Sequence, residues 1–224
     1  MECLSTFCVK GEDHGHPCIL RCRHQTIQQE ENVKHTVKGT QTEKNLMAAF
    51  AGESQTFNRY SYFAEAARKE GYEQIANIFS DTANDEKAHA RVFYQYLEGG
   101  GVEITTTYPS GTAAATKMNL ETAVAGENAA WTFRYEDFAR IAREEGFPDV
   151  ASTFEHIAVA EKFHEARFRR LMDNLGKNAV FKKNMPVMWH CSNCGYVLEG
   201  KEAPRRCPAC QSPQAFYEVL AENY

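Results

Sequence analysis

The chain has 224 residues, of which 43% are hydrophobic and 25% are charged, so it is long enough to bury one large core or two small ones. Its formal net charge of −5 comes without any block of like charge, which argues against a surface for nucleic acid or anionic membranes. It has neither an apolar run of about 18 residues nor the pattern of a secretory signal at its start. We therefore expect a soluble cytoplasmic protein whose eight cysteines serve metal binding rather than disulfides.

The N-terminal segment differs in composition from the rest of the chain. Residues 1–37 contain four of the cysteines together with four histidines, and their apolar residues follow no helical period. A metal site can be drawn through five side chains that carry sulfur or imidazole: Cys8, His14, His16, Cys18 and Cys22. Because this spacing matches no established ligand pattern, we predict that residues 1–37 form a flexible extension.

Two helices are predicted after this segment. Apolar residues recur at steps of three and four from residue 42 to 71 and again from 73 to 97, which is typical of helices with one buried face. Three consecutive glycines, Gly99–Gly101, end the second helix. The next stretch of about twenty residues has loop composition and is long enough for a crossover between helix pairs.

A second pair of helices is predicted after the crossover. The third helix is expected from Asn119 to Gly146, and the fourth from Pro148 to Gly176. Proline is favoured in a first helical turn, which supports that starting point. Residues 182–186 are then expected to form a linker.

The two helix pairs are copies of one another. The stretch Ala67–Tyr72 matches Ala142–Phe147, and an Ala-Gly-Glu motif that ends at Glu53 recurs with its end at Glu127. Such a repeat indicates a duplicated structural unit. We therefore predict a mainly α fold in which residues 38–184 form a four-helix bundle with a long crossover.

The same set of polar residues interrupts the apolar stripe in each copy. The first set is Glu53, Glu86 and His89, and the second is Glu127, Glu161 and His164. A spacing of three residues places the Glu and His of each Glu-x-x-His pair on one helix face. One such pair arises easily by chance. Two pairs, each with a further Glu on the partner helix, match the arrangement of carboxylate-bridged di-iron or di-manganese bundles.

The charge of these residues supports a metal centre. Four carboxylates in an apolar core would repel one another and take up protons, whereas two divalent ions would cancel their charge. Oxygen and imidazole ligands together suit iron, manganese or zinc. Tyr60 and Tyr135 lie seven and eight residues after Glu53 and Glu127. Each could hydrogen-bond a ligand carboxylate or serve as a helix-packing aromatic residue.

The C-terminal cysteines form a stronger signal. Two Cys-x-x-Cys turns are separated by twelve residues, and their members are Cys191, Cys194, Cys207 and Cys210. Four thiolates at this spacing predict one tetrahedral site of iron or zinc, of which only iron carries electrons. Residues 185–224 are too few for a large core, so we expect the metal to hold this small domain together.

Taken together, these motifs resemble the rubrerythrin family from about Lys38 to Leu220. The resemblance lies in the run GTQTEKNL from Gly39 to Leu46, in AGESQ from Ala51 to Gln55, in the duplicated Glu-x-x-His, and in the Cys-Gly-Tyr and Cys-Pro-x-Cys turns. It implies a ferritin-like bundle that holds a non-haem di-iron centre, and a rubredoxin-like tail with one further iron. The implied ligands are the two glutamate and histidine sets for the di-iron centre and the four C-terminal cysteines for the tail.

The resemblance also implies an activity and partners. The family reduces hydrogen peroxide to water in defence against oxidative stress, so the chain is expected to be an oxidoreductase of the peroxidase type. The rubredoxin-like iron would relay electrons from a soluble donor such as rubredoxin or an NAD(P)H-dependent reductase. The expected assembly is a head-to-tail homodimer or a higher homo-oligomer, in which one subunit's tail serves the other's di-iron centre.

One position departs from the family pattern. Members usually carry a further glutamate three residues after the position of Glu127, and this chain has Ala130 there. The exchange of that glutamate with His89 as iron changes oxidation state is therefore in doubt. Two alternatives stay open: a ferroxidase that consumes oxygen, and a metal-storage protein or structural zinc protein without turnover.

Overall fold

The computed structural model describes residues 36–222. The candidate cysteine and histidine ligands near the N-terminus therefore lie outside the described residues, as does all of the predicted extension except Thr36 and Val37. Val37 is buried in the same apolar cluster as Leu46 of the first helix. The boundaries proposed for the extension, the bundle and the tail remain predictions.

From Gln41 to Gly176 the chain is helical apart from the crossover and the short turns. They are α1 (Gln41–Lys69), α2 (Glu73–Gln95), α3 (Thr116–Ala129), a π-helical segment (Ala130–Arg134), α4 (Tyr135–Glu144) and α5 (Pro148–Gly176). Because α3, the π-helical segment and α4 follow without a break, they act as one long helix. α1 packs mainly on α2, and α3 and α4 pack on α5, with residues 96–115 as the crossover between the pairs. The predicted four-helix bundle is confirmed.

The two helix pairs turn in the same way. Gly71 after α1 and Gly146 after α4 have φ angles of +84° and +85°, a region that glycine adopts without strain. The next residue then donates its N–H back to the last turn, from Tyr72 to Ala67 at 2.9 Å and from Phe147 to Ala142 at 2.7 Å. This is the hydrogen bond of a Schellman cap, and it explains why the repeated sequence ends in a glycine and an aromatic residue.

The π-helical segment accommodates one extra residue. Glu53 and Ala67 are 14 residues apart, whereas their counterparts Glu127 and Ala142 are 15 apart. A π-helical turn absorbs the insertion because its hydrogen bond spans five residues, as from Tyr135 N–H to Ala130 C=O. The third helix predicted from Asn119 to Gly146 is therefore continuous, but residues 130–134 adopt π-helical rather than α-helical geometry.

Two clusters of buried side chains fill the bundle. One contains Phe93, Tyr135 and Phe154. The other contains Tyr60 and Phe79 with Phe168. Each fully buried side chain of this size contributes roughly 1.5–3 kcal/mol through removal from water. None of the helices between residues 36 and 222 is both long enough and apolar enough to cross a membrane.

The tail is a three-stranded antiparallel sheet in the order β2-β1-β3. Its strands are β1 (Lys182–Cys191), β2 (Val197–Glu202) and β3 (Tyr217–Val219). Trp189 fills the centre of this small core and donates its Nε1–H to the carbonyl of Gly200 at 3.0 Å. Residues 182–186, predicted as a linker, are the first half of β1, with Lys182 opposite Glu202, so that prediction is wrong.

Candidate metal centres

The six carboxylate and histidine residues singled out in the sequence meet inside the bundle. α1 supplies Glu53, α3 supplies Glu127, and α2 and α5 each supply a Glu-x-x-His pair. All four glutamates and His164 are buried, while the His89 side chain is 14% exposed. Helical periodicity explains the convergence, because each of these residues lies on the apolar, inward face of its helix.

The six residues form two overlapping groups. One group combines Glu53 and His89 with Glu86 and Glu161, and the other combines Glu127 and His164 with the same two glutamates. Within each group the candidate ligand atoms all lie within 4.8 Å of one another. Glu86 and Glu161 are therefore placed to bridge two ions, with one further Glu and one His at each position.

Both histidines direct Nδ1 into the centre. Nδ1 of His89 lies 3.0 Å from Glu161 Oε1 and 3.3 Å from Glu86 Oε2. Nδ1 of His164 lies 2.9 Å from Glu161 Oε2 and 3.1 Å from Glu86 Oε1. The two rings are inclined by 23°, with centroids 5.8 Å apart. Nδ1 is thus the nitrogen that each histidine would offer to a metal ion.

Protons balance the charge of the metal-free centre. Burial and the charges of Glu86 and Glu161 raise the pKa of Glu53 and that of Glu127 well above the usual value. Burial alone would lower the pKa of each histidine, but the close contacts of Nδ1 with the carboxylates of Glu161 and Glu86 raise it to about 10 for His89 and about 9 for His164. Burial would raise the pKa of Glu86, but the close contacts with both histidines lower it to about 2. These protons supply positive charge that metal ions would otherwise bring.

The donor set fits a pair of divalent ions. Oε1 of Glu86 and Oε1 of Glu161 are buried and accept no hydrogen bond of good geometry from the described residues. Histidine nitrogens lie 3.1 and 3.0 Å from these oxygens, but at unfavourable angles. Buried carboxylate oxygens without partners are costly, and coordination would satisfy them. Two divalent ions would also cancel the four carboxylate charges, and the mixture of oxygen and imidazole suits iron, manganese or zinc.

Both tyrosines considered in the sequence contact these glutamates. The Tyr60 hydroxyl, from α1, donates to Glu127 of α3, and the Tyr135 hydroxyl, from α4, donates to Glu53 of α1. Tyr60 also packs edge-on against Phe168, and Tyr135 packs against Phe154. The hydrogen-bonding and packing alternatives therefore both apply to each tyrosine.

A small cavity of about 40 Å³ reaches the centre beside Ala130. Its wall includes Glu53 and Glu127, and Tyr108 from the crossover closes one side. The Tyr108 hydroxyl donates to the carbonyl of Ala48 at 2.9 Å, which ties the crossover to α1. A cavity of this size holds more than one water molecule. The centre thus has room for a small molecule beside Ala130.

Sequence reasoning missed two acidic residues near the centre. Asp85 places Oδ2 3.3 Å from Nε2 of His164. Glu165 is buried and accepts hydrogen bonds from Asn128 at 3.0 Å and from Trp131 Nε1 at 2.5 Å. Both acids directly neighbour a residue of the Glu-x-x-His motifs, but spacing along one helix does not reveal a contact with another helix. Comparison of the two repeats could have singled out Asp85, because the matching residue is Ala160.

The four C-terminal cysteines also come together. Their sulfur atoms form one cluster, with Cys191 and Cys210 3.8 Å apart and Cys194 and Cys207 3.6 Å apart. Gly195 adopts a φ of +78°, so the first turn can direct its amides toward the sulfurs. His190 lies outside the cluster, with Nδ1 3.3 Å from Glu218. The arrangement is that of a closed tetrahedral site for iron or zinc.

The thiols of this cluster have divergent acidities. The hydrogen bond between Cys210 and the Ser212 hydroxyl, together with the one that Asn193 donates, lowers the pKa of Cys210 to about 5. The backbone N–H of Tyr196 would lower the pKa of Cys194, but the neighbouring thiols, Cys210 above all, raise it to about 12. Thiolates packed this closely repel one another, so a cation is needed before all four can be ionised.

Comparison with known proteins identifies the family. A family model for rubrerythrin matches residues 44–172, and a model for the rubredoxin-like domain of rubrerythrin matches residues 189–218. The chain is 47% identical to rubrerythrin of Porphyromonas gingivalis, over 89% of this chain and 100% of that protein. The chain belongs to the rubrerythrin family. Rubrerythrin of Nitratidesulfovibrio vulgaris is 48% identical, over 84% of this chain and 99% of that protein.

Solved structures agree with this assignment. Nigerythrin in a mixed-valence state is 29% identical and superposes with a TM-score of 0.55, over 90% of this chain and 100% of that one. Bacterioferritin of Desulfovibrio desulfuricans, at 22% identity and a TM-score of 0.57 over 62% of this chain and 82% of that one, shows the fold alone. A ferritin-like bundle followed by a rubredoxin-like four-cysteine domain, as the sequence predicted, is confirmed for this member of the family.

Proposed function

We propose that this protein is a non-haem di-iron peroxidase that reduces hydrogen peroxide to water. In the balanced reaction, one peroxide takes up two electrons and two protons and gives two water molecules. The observation that carries the proposal is the sharing of Glu86 and Glu161 between the two ligand groups. Shared carboxylates hold two ions close enough to act on both oxygens of one small molecule.

Each ligand role follows from position. We assign Glu53 and His89 to one iron, Glu127 and His164 to the other, and Glu86 and Glu161 to both. The two irons would supply the two electrons and the Lewis acidity for cleavage of the oxygen–oxygen bond. The protein's own part is to hold these ligands in a buried core, where the tyrosine hydroxyls orient Glu127 and Glu53.

The four-cysteine site is assigned to electron transfer. A single iron bound by Cys191, Cys194, Cys207 and Cys210 passes one electron at a time, so two transfers would restore the di-iron centre. The electrons would come from a soluble donor, such as rubredoxin or an NAD(P)H-dependent reductase. Zinc in this site would end the relay, because zinc does not change oxidation state.

A head-to-tail homodimer would bring one subunit's tail to the other's centre. A groove of about 740 Å³ between α2 and α5 leads to His164 and Asp85. On its rim Phe163 is 70% exposed, which is unusual for a phenylalanine and suits burial by a second subunit. This arrangement supports the dimer that the family resemblance implies.

The reaction is tested with the anaerobically reduced protein. We expect hydrogen peroxide to oxidise both iron sites faster than air-saturated buffer does, as followed by stopped-flow absorbance. Glu127→Ala should abolish the di-iron centre and the rapid peroxide reaction while leaving the red colour of the four-cysteine iron. Peroxide reduction at the full rate in that variant would contradict the site assignment, and faster oxidation by oxygen would contradict the peroxidase.

The second candidate is a ferroxidase that consumes oxygen and Fe(II). The cavity beside Ala130 favours it, because the ligand set there is open where a further carboxylate would otherwise close it. The same stopped-flow comparison decides between the two, since a ferroxidase reacts faster with oxygen and turns over with added Fe(II).

A colourless tail that contains only zinc in protein from its native source would instead support a structural or storage role.

A further inference from the structure

The outward nitrogen of His164 has a carboxylate partner. Nε2 lies 3.3 Å from Oδ2 of Asp85, the residue that directly precedes Glu86 on α2. Arg167 of α5 places Nη2 3.8 Å from the same oxygen and 2.5 Å from the Thr82 hydroxyl, to which it donates a hydrogen bond. Asp85 is thus held between the histidine ring and a guanidinium that is itself anchored on α2.

Among the described residues, 36–222, the equivalent nitrogen of His89 has no such partner. The internal repeat relates His89 to His164, because the Glu-x-x-His pairs match, and it relates Asp85 of α2 to Ala160 of α5. An alanine side chain cannot accept a hydrogen bond. Among the residues that the structure describes, only Glu86 and Glu161 place carboxylate oxygens within 4.0 Å of His89, and both contact Nδ1. The two halves of the centre therefore differ at this one point.

This difference affects metal binding because a histidine must lose its proton at the coordinating nitrogen. Both rings offer Nδ1 to the centre, so the remaining proton of each must reside on Nε2. A carboxylate at Nε2 fixes that tautomer, holds the ring in orientation and makes Nδ1 a stronger donor. His164 has this support, whereas His89 is partly exposed and has none among the described residues.

We propose that Asp85 is a positioning residue that makes the metal position at His164 tighter than the one at His89, so that the two ions bind in order. The inference rests on the proposed di-metal centre and not on the reaction carried out there. It also distinguishes two ligand groups that are otherwise alike in composition, each with three glutamates and one histidine.

The test is a titration of the metal-free, full-length protein with Mn(II) alone, in which the free ion is followed by electron paramagnetic resonance. Manganese is suited because it prefers oxygen and imidazole ligands and binds thiolates poorly. We expect two binding steps in the unchanged protein. Asp85→Ala should weaken the tighter step about tenfold or more and leave the weaker step within about twofold, since loss of such a partner typically costs 10–100-fold in affinity.

Three variants control the experiment. Asp81→Ala removes an exposed carboxylate from the same helix and should leave both steps unchanged, which separates the contact from the loss of net charge. Asp85→Asn keeps an acceptor oxygen and should restore most of the tighter step. Ala160→Asp supplies His89 with the missing partner and should strengthen the weaker step.

Two outcomes would overturn the proposal. One is a titration of Asp85→Ala that superposes on that of the unchanged protein. The other is a loss of affinity that is equal in both steps and is reproduced by Asp81→Ala. Either result can be obtained whether or not the protein reduces peroxide, so failure of the positioning role and failure of the peroxidase proposal are distinguishable.

Discussion

At the scale of single residues, two tyrosines connect the candidate metal centre to the apolar core. Tyr60 and Tyr135 cross over, since each donates its hydroxyl to the glutamate of the opposite repeat. Both rings are almost fully buried in the aromatic clusters. Tyrosine suits this position because its ring packs in the apolar core while its hydroxyl donates a hydrogen bond to a buried carboxylate oxygen.

Removal of one of these hydroxyls should therefore lower the free energy of unfolding more than removal of a tyrosine hydroxyl that bonds a neutral group. We expect Tyr60→Phe to lower the free energy of unfolding of the metal-loaded protein by about 1.5–3 kcal/mol, the range for hydrogen bonds to charged groups. Tyr96→Phe is the matched control, because its hydroxyl bonds the neutral Thr153 hydroxyl at 2.8 Å and should contribute only about 1 kcal/mol. If urea unfolding gave the same loss of free energy of unfolding for both variants, the contact with the carboxylate would contribute no extra stability.

At the scale of elements, the π-helical segment keeps the two repeats in the same register. Tyr60 follows Glu53 by seven residues, and Tyr135 follows Glu127 by eight. In a regular α-helix seven residues nearly complete two turns, whereas eight would rotate the tyrosine by a further 100° or so. The π-helical turn at residues 130–134 absorbs the extra residue, so Tyr135 faces the centre as Tyr60 does.

Deletion of Thr132 should consequently be tolerated. It would turn the π-helical segment into regular α-helix and give the second repeat the seven-residue spacing of the first. We expect the variant to keep its helical circular dichroism and to bind two Mn(II) ions in the bundle. Asn58 is an exposed residue between Glu53 and Tyr60 in regular α-helix. Its deletion should rotate the rest of α1 by about 100° relative to Glu53 and abolish metal binding. Equal damage from both deletions would contradict the role given to the π-helical turn.

The sequence predicted what helical geometry determines and missed what depends on neighbouring elements. The four helices, the crossover and the convergence of the six polar residues all follow from spacing along single helices and from the repeat. The contact between Asp85 and His164 joins two helices, and spacing along one helix carries no sign of it. Residues 182–186 looked like a linker because the pairing of Lys182 with Glu202 of β2 becomes visible only in the folded sheet.

At the scale of the whole molecule, the two candidate metal centres differ in the size of the apolar core around them. The bundle holds its carboxylates and histidines inside a large apolar core, which contains two clusters of buried side chains. The tail has only a small core around Trp189, beside its four cysteines. We therefore expect the metal to contribute mainly reactivity in the bundle and mainly stability in the tail.

The metal-free bundle should lose stability as the pH rises from about 6.5 to 10. The pKa values of His89 and His164 are raised in the folded protein to about 10 and about 9, from 6.5. The folded state thus binds protons that the unfolded state has released, so this stabilisation is complete below pH 6.5 and is lost as the pH passes through 9 and 10. The raised pKa values of Glu53 and Glu127 act in the same direction.

Urea unfolding midpoints of the bundle, measured across this range with a chelator and with bound metal, check the prediction. The midpoint should fall with pH in the chelator and stay nearly constant with metal, because ions replace the protons at Nδ1 of both histidines. A variant with both His89→Gln and His164→Gln separates this effect from general alkaline destabilisation, since it lacks the two protons and should show a flatter decline. A metal-free protein that declines no more steeply than this variant would mean that histidine protons do not hold the four carboxylates together.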